Sequence, residues 1–528
     1  MLVVVRTVTT LGRLRDVLSL TAGDRRIQTF FTCDVRSRSL LAAGVDEALA
    51  GLGAPVLPWR DAVSMRFDLA LAASENDRLV DLDAPVLLVP HGAGHQKFYP
   101  GTAVVSGLNP ERLVMGGRVV PAAIGLPHAA HLERLARVCA PAASRGVVVG
   151  DPALARMRGS RFRDGQLRAA FGARDKRLVV LASTFGPDSA LGRLPDLPER
   201  LVGGLPVDEY QVVVVLHPGV WAAHGPWQVR SWLQQAAAYG VQVITPYEGW
   251  QAALLAASVV ISDHGSLALY AAALDKPVVL AGRGSAVTVP GSAAALLAET
   301  APVWDVDQRP RDQIDAAIDQ YGAGVHGQVM DLLAEPDAHG EDCARRLRRL
   351  VYGLLRLKEP ADPAMFGPVV APAVSEPAIP ATVVGAAIQR DGVRIERYAD
   401  LGHGEPRGGL EYRHLVADLR TASLAQLCSA SVVVVDDHAV WSTKGWPVRA
   451  AEEVARWPQA SVLATVVDET SCAVWAGGRV TVLHADEPVD PIVLASLAYV
   501  RLTMLGRLPG EDRVHLGRRI IGVVAVAR

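Results

Sequence analysis

Unbroken aliphatic runs of strand length recur along the first two thirds of this chain, each followed by a stretch long enough for a helix. The first group reads LVVVRTV, RIQTFFT, FDLALAA, PVLLVPH, TAVVSG and GVVVGDP. A strand with no polar face is buried on both sides, which calls for a parallel sheet covered by helices on each face. The pattern restarts with KRLVVLAST, YQVVVVLHP, VQVITPY, SVVISDHGS and PVVLAG. The expected fold class is therefore α/β, with two doubly wound Rossmann-like domains over residues 1–172 and 173–358. Open sheets of this kind bind ligands outside the carboxyl ends of their strands, so the cleft between the two domains is where chemistry is expected.

Residues 359–381, EPADPAMFGPVVAPAVSEPAIPA, are rich in Pro and Ala without amphipathic period and read as a semi-extended linker. Residues 382–528 mix strand-like runs with helices at 410–427 and 489–505 and are expected to form a smaller C-terminal α/β domain. Half of the 528 residues are hydrophobic and 20% charged, which excludes a disordered chain. A net charge of −2 argues against a nucleic-acid partner. The 5 Cys form no CxxC pair, which speaks against a disulfide framework or zinc knuckle and for a reducing cytoplasm. The apolar start MLVVV lacks a basic region before it and reads as a first strand rather than a signal peptide. No apolar run is long enough to span a bilayer.

Polar residues cluster where strands end. Ser262-Asp263-His264-Gly265-Ser266 follows SVVI and precedes an apolar helix. Free N–H groups at the helix start, the helix dipole and Gly265 suit a phosphate, with the Ser262 and Ser266 hydroxyls as further donors. The competing reading is a simple helix cap. His217-Pro218-Gly219 ends another strand, and His217 there is either a structural residue or a donor to a phosphate and a charge partner for a leaving diphosphate. Ser183, Thr184 and Gly186 end LVVLAS and offer further phosphate contacts. On the first domain, His91-Gly92 follows PVLLVP, with His95 and Lys97 in the same Gly-rich turn. His91 is placed to act as general base toward an acceptor hydroxyl, with Gly92, His95 and Lys97 on the acceptor side. Gly150-Asp151-Pro152 closes the domain's last strand and forms part of the interdomain wall.

Other features carry bland readings beside functional ones. The basic helix CARRLRRLVYGLLRLKE could lie on anionic lipid, but reads better as the helix that closes the two-domain fold. Asp436, Asp437, His438 and Asp468 end strands and could hold a cation, yet no metal is expected. Trp441, Trp446, Trp457 and Trp475 could stack on a sugar but read better as core.

Taken in order, PHGxxxxK, GDP, LASTFG, LHP and ISDHGS followed by LDKPVVL resemble the CDP-glycerol glycerophosphotransferases, the teichoic-acid polymerase family of GT-B fold. The same turn is similar to that of the UDP-N-acetylglucosamine 2-epimerases. The resemblance implies a GT-B transferase in which His91 is the acceptor base and His217, Ser262, Asp263 and Ser266 hold the donor diphosphate. It implies a nucleotide-diphosphate donor and a hydroxyl acceptor. The lipid-facing alternative for the basic helix would add a polyprenyl-linked acceptor and peripheral contact with the inner face of the cell membrane. Because a helix start plus His217 can offset the diphosphate charge, no cofactor is expected. The chain departs from the family at Leu267 to Ala271, where an acid usually follows the second Ser. Three readings stay open: a glycerol-phosphate or sugar transferase of envelope polymer assembly, a nucleotide-sugar epimerase or small-molecule glycosyltransferase, and a non-catalytic GT-B binding module.

Overall fold

The computed structural model describes residues 1–34, 44–284, 287–337, 339–373, 379–401, 410–435 and 446–527. Among these residues the first sheet holds β1 (Leu2–Val4), β2 (Phe30–Cys33), β3 (Val56–Pro58), β4 (Ala70–Ala72), β5 (Val86–Leu88), β6 (Ala123–Leu126) and β7 (Gly146–Val148). Their order is β3-β2-β1-β4-β5-β6-β7, every pair parallel. The second sheet holds β8 (Arg177–Ser183), β9 (Tyr210–Leu216), β10 (Gln242–Ile244), β11 (Val259–Ser262) and β12 (Val278–Leu280) in the order β10-β9-β8-β11-β12, again parallel throughout. Each sheet winds outward in both directions from its first strand, the doubly wound layout that the aliphatic runs predict, although TAVVSG forms no strand of the first sheet and Val56–Pro58 and Ala123–Leu126 join it instead.

The second sheet shows why those runs have no polar face. Leu178, Val180, Val213, Val215 and Val260 enter one core, while their neighbours Val179, Leu181, Val212, Val214 and Val259 enter another on the opposite side. A period of two thus becomes continuous hydrophobicity because both faces are covered.

Helix Glu341–Leu355 returns to the first sheet. Its Ala344, Leu347 and Val351 are buried in one core with Val3, Val5 and Leu71, so residues that the sequence reading gave to the second domain pack in the first. That apolar face is consumed by the fold and is not open to lipid. Among the described residues no helix is long and apolar enough to cross a membrane.

The Pro/Ala-rich segment is docked rather than a free linker. Val369 is buried and its N–H donates to Ser160 Oγ at 2.9 Å. Arg156 holds the carbonyls of Gly367 and Pro368, each at 3.0 Å.

The C-terminal region departs from the expected α/β layout, and the helix expected over 410–427 is instead strand Tyr412–Asp418 followed by the short helix Leu424–Ser429. Among the described residues nine strands close into a barrel. Three of its pairings are parallel: Gly392–Ala399 with Glu511–Leu516, Tyr412–Asp418 with Val432–Val434, and Val432–Val434 with Val462–Asp468. The others are antiparallel. Helix Pro491–Leu505 packs on the barrel with Val493 to Ala498 all buried, as a helix that is apolar around its circumference must be. Closure removes the sheet edges that an open layout would leave. Trp457 and Trp475 pack against a satellite core of this barrel. Asp436, Asp437, His438 and Trp441 lie outside the described residues, as does the Trp446 side chain.

Candidate functional site

Strand ends of the two sheets meet across a cleft, and three contacts hold the meeting together. The Ala93 N–H, just past β5, donates to Ser266 Oγ at the start of helix Ser266–Ala273, at 3.3 Å. Main chain joins the domains as well: Phe98 N–H donates to the Val287 carbonyl and Val289 N–H to the Gln96 carbonyl, both at 2.9 Å. Beneath them, buried Arg13 binds Asp151 Oδ1 at 2.9 Å, the Gly92 carbonyl at 2.9 Å and the Tyr270 hydroxyl, while Tyr270 donates to Asp151 Oδ2 at 2.9 Å. Burial alone would discharge Arg13, but Asp151 holds its proton on, above the ordinary guanidinium range. The ion pair is buried with its hydrogen bonds made, the condition under which burial of two charges is tolerated.

His91, Lys97, His217 and His264 gather in this cleft close enough to perturb one another's charge. Burial pushes the Lys97 ammonium down to about 8, with Asp263 acting the other way. No hydrogen bond or ion pair satisfies that ammonium among the described residues. Burial pushes His217 down to about 4, and the positive charge of Lys97 adds to the effect. The Gly219 N–H donates to His217 Nδ1 at 2.9 Å, so the neutral ring carries its proton on Nε2. His217 therefore offers a ligand one neutral N–H donor; in the free protein it is not the cation that sequence also allowed.

His91 reaches solvent at the cleft floor, yet the protein around it lowers its pKa by desolvation. Glu75, buried in the loop after β4, and the Ala73 carbonyl oppose that shift. A neutral imidazole with a carboxylate near it can take a proton from an incoming hydroxyl. Burial likewise lowers His264, with Lys97 contributing.

The turn after β11 is organised differently from the expected phosphate cradle. Asp263 is wholly buried, and its carboxylate accepts from Thr184 N–H (2.8 Å), Thr184 Oγ1 (2.9 Å), Ala190 N–H (2.9 Å) and Gly265 N–H (2.9 Å). It ties the ends of β8 and β11 together and uses the donors of Thr184 and Gly265 in doing so. Ser183 is also internal, bonding the Thr184 carbonyl and the Leu191 N–H. Ser262 is 1% exposed. Of the proposed phosphate set, Ser266 and His217 stand at the cleft, while Asp263, Gly265, Ser183, Thr184 and Ser262 build its wall. Helix Ser266–Ala273 starts with no side-chain cap.

His95 also turns inward. It is 3% exposed, with Nδ1 on the Ser106 carbonyl at 3.2 Å and its ring 5.5 Å from that of His131, so it supports the loop from below instead of facing an acceptor. Gly94 permits this packing: it sits at φ 81°, and a Cβ there would stand 2.3 Å from His131.

Sequence reading missed Glu75, and it named His264 and Phe185 within their motifs without giving either a role. Phe185 is 48% exposed with its ring 5.1 Å from that of His217, an aromatic face beside the cluster. Glu75 could have been suspected from its place just past a buried strand, since a strand end in the first sheet faces the same cleft. Among the described residues no group of three His, Cys, Asp or Glu side chains is arranged to hold a metal ion.

No protein-family model matches the sequence, and no curated protein does. Among solved structures the chain is similar to the wall teichoic acid polymerase TagF, at 10% identity and a TM-score of 0.44 over 67% of this chain and 89% of that one. It is also similar to S. aureus MnaA with UDP, at 13% identity and a TM-score of 0.43 over 69% and 99%. Anabaena HepE with UDP and glucose follows at 14% identity and a TM-score of 0.37 over 67% and 99%.

Proposed function

We propose that the cleft binds a nucleotide-diphosphate donor and transfers its glycerol-phosphate or sugar group to an acceptor hydroxyl. The observation that carries this reading is the Lys97 ammonium, half-buried and desolvated in the cleft without a hydrogen bond or ion pair among the described residues, and grouped with His91, His217 and His264. An unpaired, partly desolvated cation favours an anionic partner, and a diphosphate would neutralise it. The acceptor oxygen loses its proton to His91 as it bonds to the transferred phosphorus or anomeric carbon. The bond to the nucleotide's phosphate oxygen breaks, and that oxygen keeps the electron pair. Lys97 and His217 Nε2–H meet the charge that develops there, fixed donors aimed at a leaving group being an effective form of stabilisation. Phe185 offers a face on which the base can stack.

One observation favours the non-catalytic reading. Tyr270 stands where the family resemblance expects an acid for the ribose, and it is buried against Arg13 and Asp151.

Thermal unfolding with CDP, UDP, GDP, ADP, dTDP and their glycerol or sugar conjugates separates the two. A ligand at 100 times its dissociation constant adds about 2.7 kcal/mol of stability. The transferase reading expects such a shift with one base, reduced in Lys97→Ala, and release of nucleotide when an acceptor is supplied. A shift without turnover supports a binding module, and no shift with any nucleotide overturns both.

A further inference from the structure

We propose a second ligand site, in the cavity between the second sheet and the barrel, for a small molecule that combines an anionic group, an apolar body and a hydrogen-bond donor. The cavity has a volume of about 570 Å³, within the range of small-molecule pockets. It lies at the amino ends of β9 and β10, bounded by Tyr210 and Gln242, whereas the proposed donor cleft lies at the carboxyl ends. The two sites are therefore on opposite edges of one sheet.

Gln242 supplies the call for a donor. It is 4% exposed, lines the cavity, and its Oε1 is buried with no hydrogen-bond partner. The amide cannot be turned over to relieve this, because Nε2 donates to the Phe171 carbonyl at 3.3 Å and a flip would set two oxygens together. A buried acceptor left unmet costs free energy that a ligand N–H or O–H would recover.

Lys176 supplies the call for an anion. Lys176 lines the cavity, partly exposed and without a hydrogen bond or ion pair among the described residues, its charge acting at longer range on Asp490. The deep cation of the same wall is spoken for: Arg397 bonds Asp208 at 2.9 and 2.6 Å and Asp490 at 2.7 Å. That saturated guanidinium pins the barrel to the second domain and makes a rigid wall. Val416 and Leu516 add apolar surface.

The probe is 8-anilinonaphthalene-1-sulfonate, which carries a sulfonate, an aromatic body and an anilino N–H, titrated into the full chain and followed by fluorescence. One saturable site is expected, with affinity reduced at least tenfold in Lys176→Glu and in Gln242→Met and unchanged in Lys97→Ala. Lys176 is partly exposed, so its variant tests the site even if Gln242→Met fails to fold; unchanged melting temperature certifies each. Absence of saturable binding, or binding indifferent to Lys176→Glu, would overturn the site. Loss in Lys97→Ala alone would place the dye in the donor cleft and overturn it equally.

Discussion

Gly92 and Ser266 touch across the cleft so closely that a Cβ on Gly92 would stand 2.8 Å from the Ser266 hydroxyl. The loop that carries His91 thus rests on the first turn of helix Ser266–Ala273, and the spacing between base and helix start is set by a missing side chain. Gly92→Ala should drive the Ser266 hydroxyl off the Ala93 N–H, at about 1 kcal/mol for the lost bond. Because displacing a base by a fraction of an ångström is expensive in rate, turnover should fall at least about tenfold. Gly92→Ala with Ser266→Ala removes the clash and should recover part of that loss. A double-mutant cycle with no coupling would disprove the contact's role.

Asp263 offers a separation of stability from binding. Asp263→Ala strands the N–H groups of Thr184, Ala190 and Gly265, and at about 1 to 3 kcal/mol for each unmet donor the cost should reach at least about 3 kcal/mol in urea unfolding. Asp263→Asn keeps an acceptor while removing a negative charge near Lys97. Its affinity for inorganic pyrophosphate should hold or tighten, since one repulsive charge has gone. Weaker pyrophosphate binding by a folded Asp263→Asn would mean that the carboxylate touches the ligand after all.

Glu75 is a positioning residue whose effect shows in pH dependence. Its Oε1 accepts from the Tyr99 hydroxyl at 2.6 Å and the Gly107 N–H at 2.9 Å, bonds that Glu75→Gln can keep. Desolvation lowers His91 and the Glu75 charge opposes it, so removing the charge lowers His91 further. A base must be unprotonated to act, so the acidic limb of the kcat/KM profile should move to lower pH in Glu75→Gln. An unmoved limb would detach Glu75 from His91, whatever happened to the rate.

How much of this was legible depends on the range of the signal. The two parallel sheets and the strand-end positions of His91, Lys97 and His217 follow from local aliphatic runs and the polar residues that stop them. Which hydroxyls of the turn face the cleft was not legible, because Ser183, Thr184 and Asp263 look alike as strand terminators, and only the fold decides that Asp263 takes the Thr184 donors. The Arg13, Asp151 and Tyr270 cluster joins positions 138 and 119 residues apart in sequence, beyond any motif. Barrel closure failed to show because pairs such as Gly392–Ala399 with Glu511–Leu516 are set by long-range register, while the runs themselves resemble those of an open sheet.

The desolvated histidines predict an acid sensitivity well above the carboxylate range. Desolvation holds His95 and His217 down to about 4 and His414 down to about 3. In the unfolded chain the same side chains take protons near 6.5. Between these limits the unfolded state binds more protons than the folded one, so stability rises with pH across the window and is complete above it. His95, at 3% exposure, should alone account for a loss of about 2 kcal/mol by about pH 4.5. Chemical unfolding between about pH 7.5 and 4.5 should therefore show a decline that begins near 6.5, with a shallower slope in His95→Gln because one titrating group has gone. A plateau that persists to about pH 5 and then breaks would assign the acid transition to carboxylates and would mean that these rings find protons in the folded state.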